Sequence, residues 1–257
     1  MPRYPELDLL RTLAVIAMII YHTAFDLAEF YGWDLDIFEG GWKLLGRGTA
    51  TLFLILVGVG FAISWNRHHD QLSAKGDRRI ATATWKYPAK YLKRGLGLIA
   101  LGMVISVVTY VVDPETYVRF GILHLIGTGI LVLPFFVRLR EWNFLIGCTV
   151  IFLGEILLNG GPAAKSDSPL LLPLGITPPF FSSVDYFPIF PWFGVMLFGY
   201  AIGYFIYVRN PVWHPLFPNY ESRFPILWLG RHALVIYLFH QPILIILLSL
   251  LLGPPSF

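Results

Sequence analysis

Charged residues are scarce in this chain, and their scarcity decides the class of protein. Only 14% of the 257 residues are charged, 56% are hydrophobic, and the mean hydropathy is +0.65. A soluble domain typically carries about 25% charged residues. The composition therefore excludes an ordinary soluble enzyme. The apolar runs are continuous, whereas a membrane β-barrel has short alternating segments, so we predict an all-α polytopic membrane helical bundle.

Cysteine and the common enzyme motifs are almost absent as well. The single cysteine, Cys148, lies in an apolar run and leaves no intrachain disulfide, so the redox compartment is not indicated. No Walker A, GxSxG or HExxH motif occurs, which leaves the P-loop and Rossmann classes unsupported. Because no histidines show HxxxH spacing, a metal or haem site has only weak support. We expect no metal and no nucleic-acid partner.

Seven apolar segments are long enough to cross about 30 Å of hydrocarbon. If the N-terminus is cytoplasmic, thirteen Lys and Arg residues lie on the inner segments and four on the outer ones. This asymmetry predicts a cytoplasmic N-terminus and an outer C-terminus. We expect one membrane domain over 1–257 in a multi-pass protein of the cell membrane, and its oligomeric state stays open. The predicted spans are 7–27, 48–65, 95–112, 120–137, 143–158, 189–208 and 231–252.

Two loops between these spans stand out. The loop at 66–94 is strongly basic and suits either orientation and anionic-lipid contact or a cytoplasmic phosphate-binding surface. The loop at 159–188 is rich in Pro, Gly and Ser and is predicted to face outward. Long loops of this kind often bind ligands or act as lids.

The first span carries a seam of ionisable residues. Eleven steps of 100° bring His22 to within about 20° of Arg11, and Asp8 and Asp26 fall on the same stripe. Ionisable groups within a membrane span are costly and usually mark function. Asp26 follows His22 by one helical turn, which suits an acid–base pair. The alternatives are a His–Asp pair that only satisfies itself at the membrane edge and an Arg11 that extends to the cytoplasmic headgroups.

Three further histidines lie at or in predicted membrane spans. His124 opens the fourth predicted span, and Arg231, His232 and His240 belong to the seventh. A single histidine within the membrane is as often a satisfied packing residue as a functional one, so both roles stay open for His124, His232 and His240.

Several blocks of this sequence resemble a known family. The Arg11–His22 spacing resembles the transmembrane acyltransferase superfamily. The wider pattern is similar to the prokaryotic relatives of the heparan-alpha-glucosaminide N-acetyltransferase catalytic domain. The chain is much shorter than the animal enzyme and lacks its large outer domain, so the glucosaminide acceptor is not carried over. The matching blocks are Glu6–Arg11, Tyr21–His22, Phe25–Leu27, Arg47–Leu54 with Val57–Gly58, the segment around His124, Asp185–Gly194, and Leu229–His232 through Tyr237 to Pro242.

The resemblance implies an enzyme that moves an acyl group, usually acetyl, from cytoplasmic acyl-CoA to an amine or hydroxyl acceptor on the far side. In the wider superfamily such acceptors are sugars and glycolipids. Acetyl-CoA is then the donor substrate and the lipid bilayer a partner. A covalent acetyl-histidine intermediate and direct transfer both stay open.

The polar residues fit that chemistry in four roles. His22, oriented by Asp26, would deprotonate the acceptor. Arg11, with Lys93, Arg94 or Arg231, would hold the anionic nucleotide end of the donor. His124 or Arg47 would stabilise the oxyanion, His124 being counted with the catalytic residues, and His240 would contact substrate or oxyanion.

Two other functions fit the sequence less well. Histidine and aspartate within the membrane also occur in proton relays, so a proton-linked transporter of a small molecule is the alternative. Against it, no inverted repeat is visible and seven spans do not divide into equal halves. A non-catalytic sensor or scaffold is the third reading.

Overall fold

The fold is known from a computed structural model that describes residues 4–74, 88–159, 165–209 and 225–255. Those ranges form helices and no β-strand, which confirms the all-α prediction. Residues 75–87 of the basic loop lie outside them, as do residues 160–164 of the loop at 159–188. The cations outside the described residues are Arg3, Lys75, Arg78, Arg79, Lys86 and Arg223.

Eight α-helices are described within these ranges. They are α1 (Pro5–Tyr31), α2 (Gly40–Ala74), α3 (Ala89–Val112), α4 (Ile122–Val132), α5 (Asn143–Asn159), α6 (Ile189–Gly203), α7 (Pro225–Arg231) and α8 (Ala233–Leu252). Short 3₁₀ turns cover Leu133–Phe135, Val137–Trp142 and Pro169–Leu174, and a π-helical segment, Tyr204–Arg209, extends α6.

Within the described residues, five helices are long and apolar enough to cross a membrane. They begin at Pro5, Gly40, Ala89, Ile189 and Ala233 and correspond to five of the seven predicted spans. The fourth and fifth predicted spans are helical, but α4 has 11 residues and α5 has 17. Together with the turns between them they form a pair bent by 103°, which brings the number to at most six. The bend lies where charged residues interrupt the apolar pattern at Arg138, Arg140 and Glu141.

Local chemistry explains where α1 begins and ends. Pro5 occupies the first turn, where its missing N–H costs no helical hydrogen bond. Glu6 and Asp8 place negative charge beside the positive end of the helix dipole. The helix ends at Gly32, whose φ of 67° is a left-handed conformation that glycine adopts without strain.

The chain forms two compact units, whose boundary falls inside α2. The first comprises Met1–Leu56 and His214–Phe257, and the second comprises Val57–Trp213. In the first unit, α7 packs on α1 at Gly230, where a Cβ atom would lie 2.1 Å from the carbonyl oxygen of Asp8. Thr12 closes this contact, since its hydroxyl oxygen accepts the N–H of Gly230 at 3.0 Å and lies 2.8 Å from the carbonyl oxygen of Ile226.

The second unit contains two helix pairs with reciprocal glycine contacts. In the α3–α4 pair, a Cβ on Gly95 would lie 2.9 Å from the carbonyl oxygen of Gly127, and a Cβ on Gly127 would lie 2.7 Å from that of Gly95. In the α5–α6 pair the corresponding distances for Gly147 and Gly194 are 2.7 Å and 2.6 Å. Small residues allow backbones to approach in this way, and close packing is a main force between membrane helices.

Candidate functional site

Two histidine rings meet between α1 and α8 in the first unit. His22 and His240 lie edge to face, with ring centroids 4.7 Å apart and planes at 81°. His240 is buried and His22 half-buried. The ring of Tyr21 also meets His22, at 5.5 Å and 89°. The structure therefore brings together two candidate residues that are 218 positions apart in the sequence.

Backbone hydrogen bonds determine the tautomer of each ring. The Nδ1 atom of His22 lies 2.9 Å from the carbonyl oxygen of Met18, and that of His240 lies 2.7 Å from the carbonyl oxygen of Tyr237. A carbonyl oxygen only accepts, so each Nδ1 carries the hydrogen and each Nε2 has a lone pair when the ring is neutral. Both imidazoles thus present a basic nitrogen away from the backbone.

Asp26 connects the same two helices. Its carboxylate Oδ1 accepts a hydrogen bond from the Nε2 amide of Gln241, the residue after His240. The hydrogen bonds of these residues join His22 to Met18 and Asp26 to Gln241. In this structure the carbonyl of Met18 holds the His22 ring, and Asp26 binds Gln241 of α8.

Several buried acceptor atoms near the paired rings have no hydrogen-bond partner among the described residues. These atoms are Oδ2 of Asp26, Oε1 of Gln241 and Nε2 of His240. Buried polar groups are normally hydrogen-bonded, so atoms without a partner require an explanation. A ligand that brings N–H or O–H donors would satisfy them.

A second polar group lies near the N-terminus of α1. Asp8 is buried and accepts from two arginines, Arg11 at 2.9 Å and Arg231 at 3.2 Å. Both guanidinium groups keep some exposure, 30% and 22% of the side chain. Asp8 thus joins the start of α1 to the end of α7 through two guanidinium groups. At about 1.5 Å per residue, Arg11 lies about 16 Å along α1 from His22.

His124 occupies a different position, at the α3–α4 contact in the second unit. Its ring lies against Gly102, where a Cβ would approach ring atoms to 2.9 Å, and it stacks on Phe120 at 5.5 Å. Its Nδ1 accepts the N–H of Gly121 at 3.2 Å, so its Nε2 carries the hydrogen. That buried Nε2 has no partner among the described residues. His124 therefore presents a donor, whereas His22 and His240 present acceptors.

The other candidate cations lie at exposed positions. Lys93 and Arg94 are on the first turns of α3, and Arg47 is near the start of α2. Sequence reasoning missed two partners that the structure reveals. Gln241 donates to Asp26 across the contact between α1 and α8, and Asp185 holds the start of α4 by accepting the N–H of Ile122 at 3.1 Å. Neither has a local signal, because each acts on a residue far away in the sequence.

Among the described residues no group of three or more His, Cys, Asp or Glu side chains is placed to hold a metal ion. Comparison with curated proteins and with solved structures found no match. The family model described as "Heparan-alpha-glucosaminide N-acetyltransferase, catalytic" matches residues 3–242. This match includes both histidine sites and the Asp8 group. The chain therefore belongs to the heparan-alpha-glucosaminide N-acetyltransferase catalytic family, a family of membrane acyltransferases.

Proposed function

We propose that this protein transfers an acyl group, acetyl in the first instance, from cytoplasmic acyl-CoA to an amine or hydroxyl on the outer side of the cell membrane. Family membership supports acyl transfer in general. The donor, the acceptor and the direction across the membrane are part of the proposal.

The observation that carries the proposal is the tautomer of His22. With its Nδ1–H held by the Met18 carbonyl, its Nε2 is free to take a proton from the acceptor or to attack the thioester. In direct transfer, the acceptor attacks the thioester carbonyl, His22 takes its proton, and the CoA thiolate leaves and is reprotonated. In the covalent route, Nε2 attacks the thioester carbonyl and expels the CoA thiolate to form an acetyl-imidazole, and the acceptor then attacks the acetyl carbonyl and releases the imidazole.

Asp26 and His240 would act beside His22. The Asp26–Gln241 hydrogen bond keeps α8 against α1 and His240 opposite His22. The charge of Asp26, one turn from His22, would also stabilise the imidazolium formed during proton transfer. The acceptor atoms without partners at Asp26, Gln241 and His240 suit an incoming amine or hydroxyl, both of which donate hydrogen bonds.

The donor and oxyanion roles belong to other residues. Arg11 and Arg231, sharing Asp8, would hold the phosphates of the nucleotide, and the exposed Lys93 and Arg94 are further candidates. The Nε2–H of His124 is a donor suited to a developing oxyanion, and Arg47 is the second candidate for that role.

Acetyl-CoA binding to the purified protein in nanodiscs tests the proposal. We expect wild type and His22→Ala to bind equally, and Arg11→Ala to bind about tenfold more weakly, the loss of one charge-assisted contact. Arg209→Ala is the matched control, because Arg209 also pairs with a carboxylate, Glu141 at 3.3 Å, on an exposed surface. The proposal would be refuted if folded wild-type protein bound neither acetyl-CoA nor acyl-CoAs with longer chains. Flux of a small molecule into proteoliposomes without acyl-CoA would then favour a transporter.

A further inference from the structure

The segment at 168–184 is unusually apolar for a loop outside the membrane-spanning helices. Between Asp167 and Asp185 the sequence contains no charged residue. Four large apolar side chains in this segment are exposed to the surroundings of the protein. They are Leu170 at 85%, Leu174 at 41%, Phe180 at 103% and Val184 at 50%.

Hydrogen bonds hold this segment in a defined conformation. The hydroxyl of Tyr186 donates to the carbonyl oxygen of Leu172 at 2.6 Å, and the N–H of Ser166 donates to that of Thr177 at 3.0 Å. Phe180 has a φ of 60°, a left-handed value that is rare for a bulky residue and persists only where its surroundings impose it. In this conformation the side chain of Phe180 is fully exposed.

The segment is also tied to the end of a membrane-spanning helix. Val184 donates its N–H to the carbonyl oxygen of Thr116 at 2.8 Å, and the hydroxyl of Ser183 donates to that of Tyr117 at 2.9 Å. Thr116 itself bonds to Asp113, the residue that ends α3. The last turn of α3 exposes Val111 at 78% and Val112 at 63%, as expected of a surface facing lipid.

The residues around this attachment have the composition of a membrane interface. Tyr110 and Tyr117 meet edge to face at 5.1 Å. The guanidinium of Arg119 lies over the rings of Tyr117 and Phe181, at 4.9 Å and 5.0 Å. Tyrosines and arginines concentrate where hydrocarbon gives way to headgroups. Such a composition suits a position at the membrane interface, where lipid is a neighbour.

We propose that the segment at 168–184 is a membrane-surface element that inserts Leu170 and Phe180 among the lipids at the interface. An apolar segment in the plane of the interface buries its side chains at the boundary between headgroups and acyl chains. Lipid covers the exposed side chains, and these side chains extend the lipid-facing surface of α3. The proposal depends on the membrane location of the chain and not on its acyl donor or acceptor.

Spin labelling tests the insertion directly, and the single cysteine of this chain makes the design simple. In a Cys148→Ser background, nitroxide labels are placed by Leu170→Cys and Phe180→Cys, and the protein is reconstituted in phosphatidylcholine–phosphatidylglycerol nanodiscs. Val111→Cys provides a lipid-facing reference and Asp167→Cys, at an exposed charged position nearby, a water-facing one. Leu174→Cys replaces either test position if that variant does not give a monodisperse sample.

The measured quantity is the ratio of collision rates with oxygen, which concentrates in lipid, and with a water-soluble nickel complex. We expect labels at 170 and 180 to give ratios close to that at 111 and several-fold above that at 167. A ratio equal to that at 167 would place the segment in water and overturn the proposal. Low collision rates with both reagents would show a covering of protein, such as a second copy of the chain, and would also overturn it. Neither outcome depends on acetyl-CoA binding, so a failure here is distinct from a failure of the proposed function.

Discussion

His22 and His240 face each other edge to face across the contact between α1 and α8, with their ring centroids 4.7 Å apart. Each ring donates its Nδ1–H to a carbonyl oxygen of its own helix, so the lone pairs of both Nε2 atoms remain available. One imidazole of such a pair can accept a proton from a bound molecule while the other imidazole contacts the same molecule.

His22 is expected to be essential for acyl transfer. His22→Gln removes the basic nitrogen, and we expect acetyl transfer to fall at least about 100-fold, the typical contribution of a general base. Radioactive product from labelled acetyl-CoA is the readout, with melting temperature as the check on folding. His232→Gln is the matched control, because the Nδ1 of His232 also lies 2.9 Å from a carbonyl oxygen four residues earlier, that of Trp228. Equal turnover in the two variants would remove His22 from the reaction.

Two substitutions at Asp26 separate its charge from its hydrogen bond. Asp26→Asn keeps an oxygen that accepts from Gln241, whereas Asp26→Ala leaves that amide without a partner. We therefore expect Asp26→Ala to lower the free energy of unfolding by about 1–3 kcal/mol and Asp26→Asn to cost less. If the charge supports the imidazolium of His22, both variants lose turnover, measured beside thermal melting. Full turnover in a stable Asp26→Asn protein would limit Asp26 to a structural role.

Asp8 is expected to stabilise the protein more than either arginine that it pairs with. Asp8→Ala removes both ion pairs at once, while either arginine variant preserves one of them. We expect Asp8→Ala to cost about 1–3 kcal/mol, below the usual loss for a fully buried pair because both guanidinium groups are partly exposed. Thermal melting of the three variants checks this order. A melting temperature for Asp8→Ala above those of both arginine variants would contradict it.

The glycine contact between α3 and α4 predicts opposite results for two neighbouring substitutions. Gly95→Ala would place a Cβ 2.7 Å from the side chain of Leu131 and 2.9 Å from the Gly127 carbonyl, whereas Gly97→Ala meets nothing within 4 Å. We expect Gly95→Ala to cost about 1–3 kcal/mol through overpacking. Gly97→Ala, on the same helix, should be neutral or slightly stabilising. Melting temperatures measured in nanodiscs test the difference, and equal values would mean that the helices separate without cost.

The buried phenol of Tyr186 is expected to make the folded protein less stable at alkaline pH. Burial raises the pKa of Tyr186 to about 12, against about 10 in an unfolded chain. Because the folded state favours the protonated phenol, its contribution is complete below about pH 10 and is lost as the pH rises towards 12. We expect wild type to melt above Tyr186→Phe at pH 8 and this advantage to shrink by pH 11.5. An advantage that stays constant with pH would show that the phenol is not held in its protonated form.

Most of the helices were predictable because the insertion of a segment into a membrane depends on its summed hydropathy, which can be read from the local sequence. Five of the predicted spans coincide with helices long and apolar enough to cross a bilayer. The prediction was less accurate at 120–137 and 143–158, where window hydropathy is high. Both segments form helices, but the chain bends by 103° between them. The bend arises from the 3₁₀ turns around Arg140, whose φ of 47° is non-helical and is not apparent from hydropathy.

By itself, the sequence determined that this is a helical membrane protein of an acyltransferase family, with Arg11, His22 and Asp26 on one stripe of its first helix. Helical periodicity orders residues around their own axis, so it shows which side chains share a face and not what that face meets. Only the tertiary structure decided that His22 meets His240, that Asp26 holds Gln241, and that Asp8 joins Arg11 to Arg231. Three of these contacts, His22–His240, Asp26–Gln241 and Asp8–Arg231, connect residues more than 200 positions apart, and they arise from the packing of whole helices through contacts such as Gly230 against Asp8.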